Sequence, residues 1–234
     1  MTRFVKVLVA AALVACMAPA QDAAEPALTG VMLFIAGGGT IGYIILLCSV
    51  IGLALAIEAG ITITRKKLAP PEVVDQLRSH IENKDYQAGY DLCEQNPCYV
   101  TNVMHAALQK VDHGFEKMEE AAGAVAEEEA VRLHSKISWM GLIGTVAPLL
   151  GLFGTVQGMI VAFETIEKMA APKPSELAIG IKIALVTTFQ GLMVAIPVTV
   201  AFFVFRNKVV GIVLDMGAVL EDLLEPFRPA PGRS

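Results

Sequence analysis

Three stretches of this chain, residues 31–57, 139–163 and 183–205, contain no Asp, Glu, Lys, Arg or His. Each exceeds the roughly 20 apolar residues that a helix needs to cross about 30 Å of hydrocarbon. A bilayer offers no water to bare backbone groups, and nothing here alternates like a barrel strand, so each run must be helical. The 234 residues are 55% hydrophobic and only 18% charged, against about 25% charged for a soluble domain, which places the chain among membrane proteins. The net charge of −5 comes from the segments outside the apolar runs, and no large basic block marks a nucleic-acid surface.

The first twenty residues read as a targeting segment. Arg3 and Lys6 form a positive start, residues 7–15 an apolar centre, and Ala18-Pro-Ala20 a small-x-small cleavage site. A rival reading takes Leu13-Val-Ala-Cys16 as a lipoprotein site with Cys16 acylated; an uncleaved first span is disfavoured because the stretch is short. Basic residues set the orientation. Arg65, Lys66 and Lys67 follow the first span, Arg132 and Lys136 precede the second, and Arg206 and Lys208 follow the third, so these ends are expected in the cytoplasm. The N-terminus is then outside, as is the link from Glu164 to Glu176, and the C-terminus is cytoplasmic.

The expected organisation is a signal peptide (1–20), an extracytoplasmic segment (21–30) and a first transmembrane helix (31–63). A cytoplasmic helical segment (64–137), the second and third transmembrane helices (138–208) and a cytoplasmic C-terminal helix and tail (209–234) follow. The expected fold class is an all-α membrane protein with three transmembrane helices and long helical extensions into the cytoplasm. In the polar segment Ala69-Pro-Pro-Glu72 starts a helix whose apolar face is Val73, Val74, Leu77 and Ile81. A second short helix runs from Tyr86 to about Glu94, and a third is expected to start near Cys98 and to run without interruption through Glu127-Glu-Glu129 to the membrane. The piece from Val209 is amphipathic until Pro226.

Four cysteines give no disulfide framework on this topology. Cys93, Cys98 and His105 lack the spacing and the second ligand pair of a metal site. No nucleophile–base or paired-carboxylate arrangement suggests an enzyme.

Small residues instead organise the spans. Gly144, Ala147, Gly151, Gly154 and Gly158 recur at steps of three and four and share one side of a helix, and Ala184, Thr188, Gly191, Ala195 and Val198 follow the same rhythm. Close helix packing is the simplest consequence. Pro148 and Pro197 read as kinks that neighbouring helices tolerate. Polar groups also gather here: Thr155 and Gln157 in one span, Thr187, Thr188 and Gln190 in the next. They can bond water or a protonatable group, yet none of them titrates near neutral pH. If protons cross, the titrating carboxylate belongs to another chain.

Ala147-Pro-Leu-Leu-Gly-Leu-Phe-Gly-Thr-Val-Gln-Gly-Met159 and Gly191-Leu-Met-Val-Ala-Ile-Pro197, in this order, resemble the MotA/TolQ/ExbB proton-channel family, closest to its ExbB and TolQ branch. The resemblance is strong over about residues 127–208. It implies a bacterial inner-membrane biopolymer-transport subunit, a homo-oligomer, in the family a pentamer, enclosing the single-span helices of an ExbD- or TolR-like partner. An aspartate on the enclosed helix would exchange protons, with no cofactor beyond the proton as coupling ion, and the movement would drive an outer-membrane process through a TonB- or TolA-like protein. The family's polar pore positions fall on Thr155 and Thr188, with Thr187 and Gln190 beside them. Three departures stand out. Ile183 takes the place of a glutamate found in many relatives, Gln157 that of the usual Trp, and Phe202-Phe203 that of a common Tyr-Asn. The competing class is a non-conducting scaffold that binds a partner through its cytoplasmic helices; a solute carrier is disfavoured, since no inverted repeat is visible.

Overall fold

The structure, a computed structural model, describes residues 37–169 and 173–228. The expected signal peptide, Cys16, the extracytoplasmic segment, the start of the first span and the tail beyond Arg228 lie outside the described residues. The described elements are α1 (Gly39–Thr62), α2 (Arg65–Leu68), α3 (Pro71–Glu82), α4 (Tyr86–Gln95), α5 (Tyr99–Leu108), α6 (Phe115–Lys168) and α7 (Pro174–Leu224), with single 3-10 turns at Val111–His113 and Glu225–Phe227. Among the described residues there is no strand. The chain is an all-α membrane protein, and α1, α6 and α7 are long and apolar enough to cross a bilayer. At about 1.5 Å per residue, the 54 residues of α6 and the 51 of α7 reach about 75–80 Å, far more than the hydrocarbon requires. Both helices must therefore continue well into water.

The chain forms two compact units. The first contains residues 37–53 and 142–200. Here α6 and α7 lie against each other along their glycines, and α1 packs through Gly52 on Val198 and Ile143. Large apolar side chains such as Val50, Phe153 and Leu185 are exposed, as lipid- or partner-facing residues must be. Pro148 and Pro197 sit inside unbroken helices, although each lacks the N–H that would bond four residues back.

The second unit contains residues 54–141 and 201–228. Helix α3 begins with Pro71 at its first turn, where a missing N–H costs nothing, and buries Leu77 and Ile81. Asp85 caps α4, its carboxylate accepting from the Ala88 N–H at 3.2 Å. Thr101 fixes the start of α5: its hydroxyl accepts from the Cys98 N–H at 2.8 Å and donates to the Asn96 carbonyl at 2.6 Å. Leu77 and Leu108 close on Gly89, while Val100, Val103, Met104, Met118, Met216 and Leu223 fill the core. Tyr99 donates to the Ala126 carbonyl at 3.1 Å and Asn102 to Glu129 at 2.9 Å, tying α5 to α6. Arg78 pairs with Asp222, and Arg65 reaches Asp215 at 3.6 Å.

One sequence expectation is corrected here. No single helix runs from Cys98 to the membrane: α5 stops at Leu108 and α6 starts afresh at Phe115. The chain leaves α5 at Gln109 and Lys110 and makes a 3-10 turn at Val111–His113; Gly114, whose φ of +90° is open to glycine and strained for other residues, then separates that turn from α6. The apolar rhythm continues through Val111, so periodicity alone does not reveal it.

Candidate functional site

The small-residue positions become contacts between backbones. A Cβ added to Gly158 would lie 2.5 Å from the Gly180 carbonyl oxygen and 2.6 Å from the Ala184 nitrogen, and one added to Gly180 would meet the Gly158 carbonyl at 2.5 Å. Gly191 faces the Ala147 carbonyl and Gly151 in the same way, Gly154 faces the Thr187 side chain, and Gly144 faces Thr199. Reading along α6 from Gly144 to Gly158, the contacts on α7 run backwards from Thr199 to Gly180, so the two helices are antiparallel. Ala195 is buried on the same stripe of α7. Close approach of this kind lets Cα–H groups and carbonyls meet directly, which is how helices associate when lipid removes the hydrophobic drive.

The polar residues do not form one cluster. Thr187 is fully buried in the seam, its hydroxyl 3.0 Å from both the Ile183 and Ala184 carbonyls. Gln190 is also fully buried, its amide occupying the notch that Gly38 and Gly42 leave beside α1. Thr188 lies about 200° around the helix from Gln190, at 3.6 residues per turn, and so on the flank away from α1. Its hydroxyl is 3.2 Å from the Ala184 carbonyl and reaches across to the Gly151 carbonyl at 3.4 Å. Thr155 stands one turn beyond Gly151 and donates to the Leu152 carbonyl at 2.6 Å. Thr155 and Thr188 are both partly exposed and share one flank of the pair, whereas Gln157 is exposed on another side of α6.

The hydrogen-bond inventory decides what this flank can do. A threonine hydroxyl has one proton and two lone pairs, and here both protons point at backbone carbonyls. What remains on Thr155 and Thr188 is acceptor capacity. An incoming water or carboxylic acid, which can donate, fits; an ionised carboxylate, which can only accept, would require the hydroxyls to turn away from their own helices. The charge-free runs provide no acid or base of their own, and Lys182 is exposed on α7.

Elsewhere, Cys93 is buried and its thiol is pushed up to about 12, mainly by burial and then by the neighbouring Cys98. Burial and, secondarily, Glu129 raise the Tyr99 phenol. Among the described residues no three His, Cys, Asp or Glu side chains group to hold a metal ion. The sequence reading missed two contacts of these helices. Gly38 and Gly42, which receive Gln190, are a small-x-x-x-small pair that the stripe argument could have found. Thr199, which packs on Gly144, lies one residue off the rhythm followed along α7.

These features define a helical membrane protein built on a glycine-sealed antiparallel pair with one polar-flecked flank. The chain belongs to the MotA/TolQ/ExbB proton channel family, whose profile matches residues 97–218. That stretch covers α5, α6 and most of α7, including every threonine and glycine of the seam. The family is one of channels rather than enzymes. Comparison with curated proteins returns no match.

Proposed function

We propose that this chain is the ExbB/TolQ-like inner-membrane subunit of a complex driven by the proton-motive force. Copies of it, five by the family resemblance, surround the single-span helices of an ExbD- or TolR-like partner, with their N-termini outside and C-termini in the cytoplasm. The observation that carries this reading is the pairing of Thr155 and Thr188 on the flank away from α1, both offering lone pairs, in spans that hold no titratable group. Membership of a proton channel family supports it.

The partner's acid would supply the chemistry that this chain lacks. A carboxyl beside Thr155 and Thr188 is favoured in its protonated form, because it can donate to them and because the apolar surroundings penalise its charge. Access to water on one side and to this flank on the other then couples protonation to the position of the helix that bears the acid. The stroke would power outer-membrane transport or envelope maintenance through a TonB- or TolA-like protein.

The test is Thr188→Val, nearly isosteric, made in the complex with its co-encoded single-span partner and compared with Thr188→Ser. The expected result is an unchanged subunit ratio by native mass measurement and a proton-driven output reduced about tenfold or more, restored by serine. Undiminished output in the valine variant would remove Thr188 from the pathway. A chain that performs its cellular task without any partner would overturn the division of labour.

A further inference from the structure

Away from the seam, the structure holds a cavity of about 340 Å³ between the end of α1 and α6, lined by Leu55, Glu58, Arg132, Ser135, Lys136 and Trp139 among others. That volume falls within the range of small-ligand pockets, about 300–1,000 Å³. Its position is set twice over by the sequence. The charge-free run of the first span ends at Ile57, next to Glu58, and that of the second begins at Ile137, next to Lys136, with Trp139 one turn after Ser135 and Lys136. Both walls therefore pass from apolar to charged at the same place, where a membrane meets water. Trp139 is 62% exposed there, a position that tryptophan favours at headgroup level.

The charges on the wall have two signs. Arg132 is already held by Glu129 at 2.9 Å and by Glu128 at 3.9 Å. Lys136 and Glu58, both exposed, make no hydrogen bond or ion pair among the described residues. Lys136, the cation on this wall not already paired, attracts a phosphate, while Glu58 repels a wholly anionic head and attracts a cationic group. A primary ammonium can donate three hydrogen bonds to a carboxylate, and a quaternary one none. We propose that this cavity binds the headgroup of a phospholipid bearing a primary ammonium, a phosphatidylethanolamine. Lys136 takes its phosphate, Glu58 its ammonium, and Leu55 and Trp139 the beginning of its acyl chains.

Trp139 is the one tryptophan in the chain, so its fluorescence reads the site directly. The full chain, with its partner, is reconstituted in vesicles in which a fixed fraction of the lipid carries brominated acyl chains on an ethanolamine, glycerol or choline head. Brominated phosphatidylethanolamine is expected to quench Trp139 about threefold or more beyond its share of the lipid, and the other two in proportion to theirs. Glu58→Gln should abolish the preference over choline, and Lys136→Gln should weaken quenching by the ethanolamine lipid. Equal quenching by all three heads in the unaltered protein would overturn the proposal, as would a preference for the glycerol head. A Trp139 that no lipid quenches would show that a protein surface covers the cavity, and would overturn it too. The comparison of headgroups needs no variant, so a substitution that disturbs folding leaves the test intact.

Discussion

Each glycine of the α6–α7 seam has a measurable tolerance. Gly158→Ala would drive a methyl into the Gly180 carbonyl and the Ala184 nitrogen, which belong to a backbone that cannot rotate away. The expected cost is about 1–3 kcal/mol of overpacking. Gly217, also helical, has nothing within 4 Å of an added Cβ, and its replacement by alanine should be neutral or stabilise by up to about 1 kcal/mol. Thermal unfolding of the two purified variants checks the contrast; equal effects would mean that the seam is not as tight as described. Thr155 and Gln157 make the same point for polar groups. Two residues apart, they look like neighbours in the sequence, yet they project about 200° apart, so only one of them shares a flank with Thr188.

Among the elements, the small helices carry predictions of their own. Asp85→Ala removes the acceptor for the Ala88 N–H and should cost about 0.5–2 kcal/mol, read from the thermal midpoint. Cys93 should resist alkylation at pH 8 in the folded protein and react only after unfolding, because burial holds it as a neutral thiol. The sign of the pH effect follows from the same fact. A thiol whose pKa rises from 9.0 to about 12 on folding contributes fully below pH 9, and that contribution is lost as pH climbs toward 12. Denaturant midpoints for the native protein and Cys93→Ala across pH 8 to 11 should converge as pH rises if the linkage holds. The starts of α3 and α4 were legible because Pro71 and Asp85 are local signals with local causes. The break between α5 and α6 was not: Val111 keeps the apolar rhythm alive across the 3-10 turn, and the positive φ at Gly114 leaves no mark on that rhythm.

At the scale of the whole molecule, the spans could be read directly because exclusion of charge is a property of composition over 20 or more residues. The arrangement of the polar site could not, since the side of α7 that meets α1 depends on where Gly38 and Gly42 admit Gln190. One consequence of the charge-free spans is testable without knowing the cellular task. Vesicles containing this chain alone should show no more proton leak under an imposed pH gradient than empty ones, and leak or output should require the proposed acid-bearing partner. A partner-independent current that persists in a Thr155→Val, Thr188→Val double variant would contradict the proposed pathway.

The contact between Gly158 and Gly180 also has a mechanical meaning. Sliding α6 along α7 would force the α-carbon of one helix over a carbonyl of the other, with no layer of pliant side chains to absorb the shear. The pair is therefore built as a strut, and any large movement of this protein must pivot around it or pass beside it.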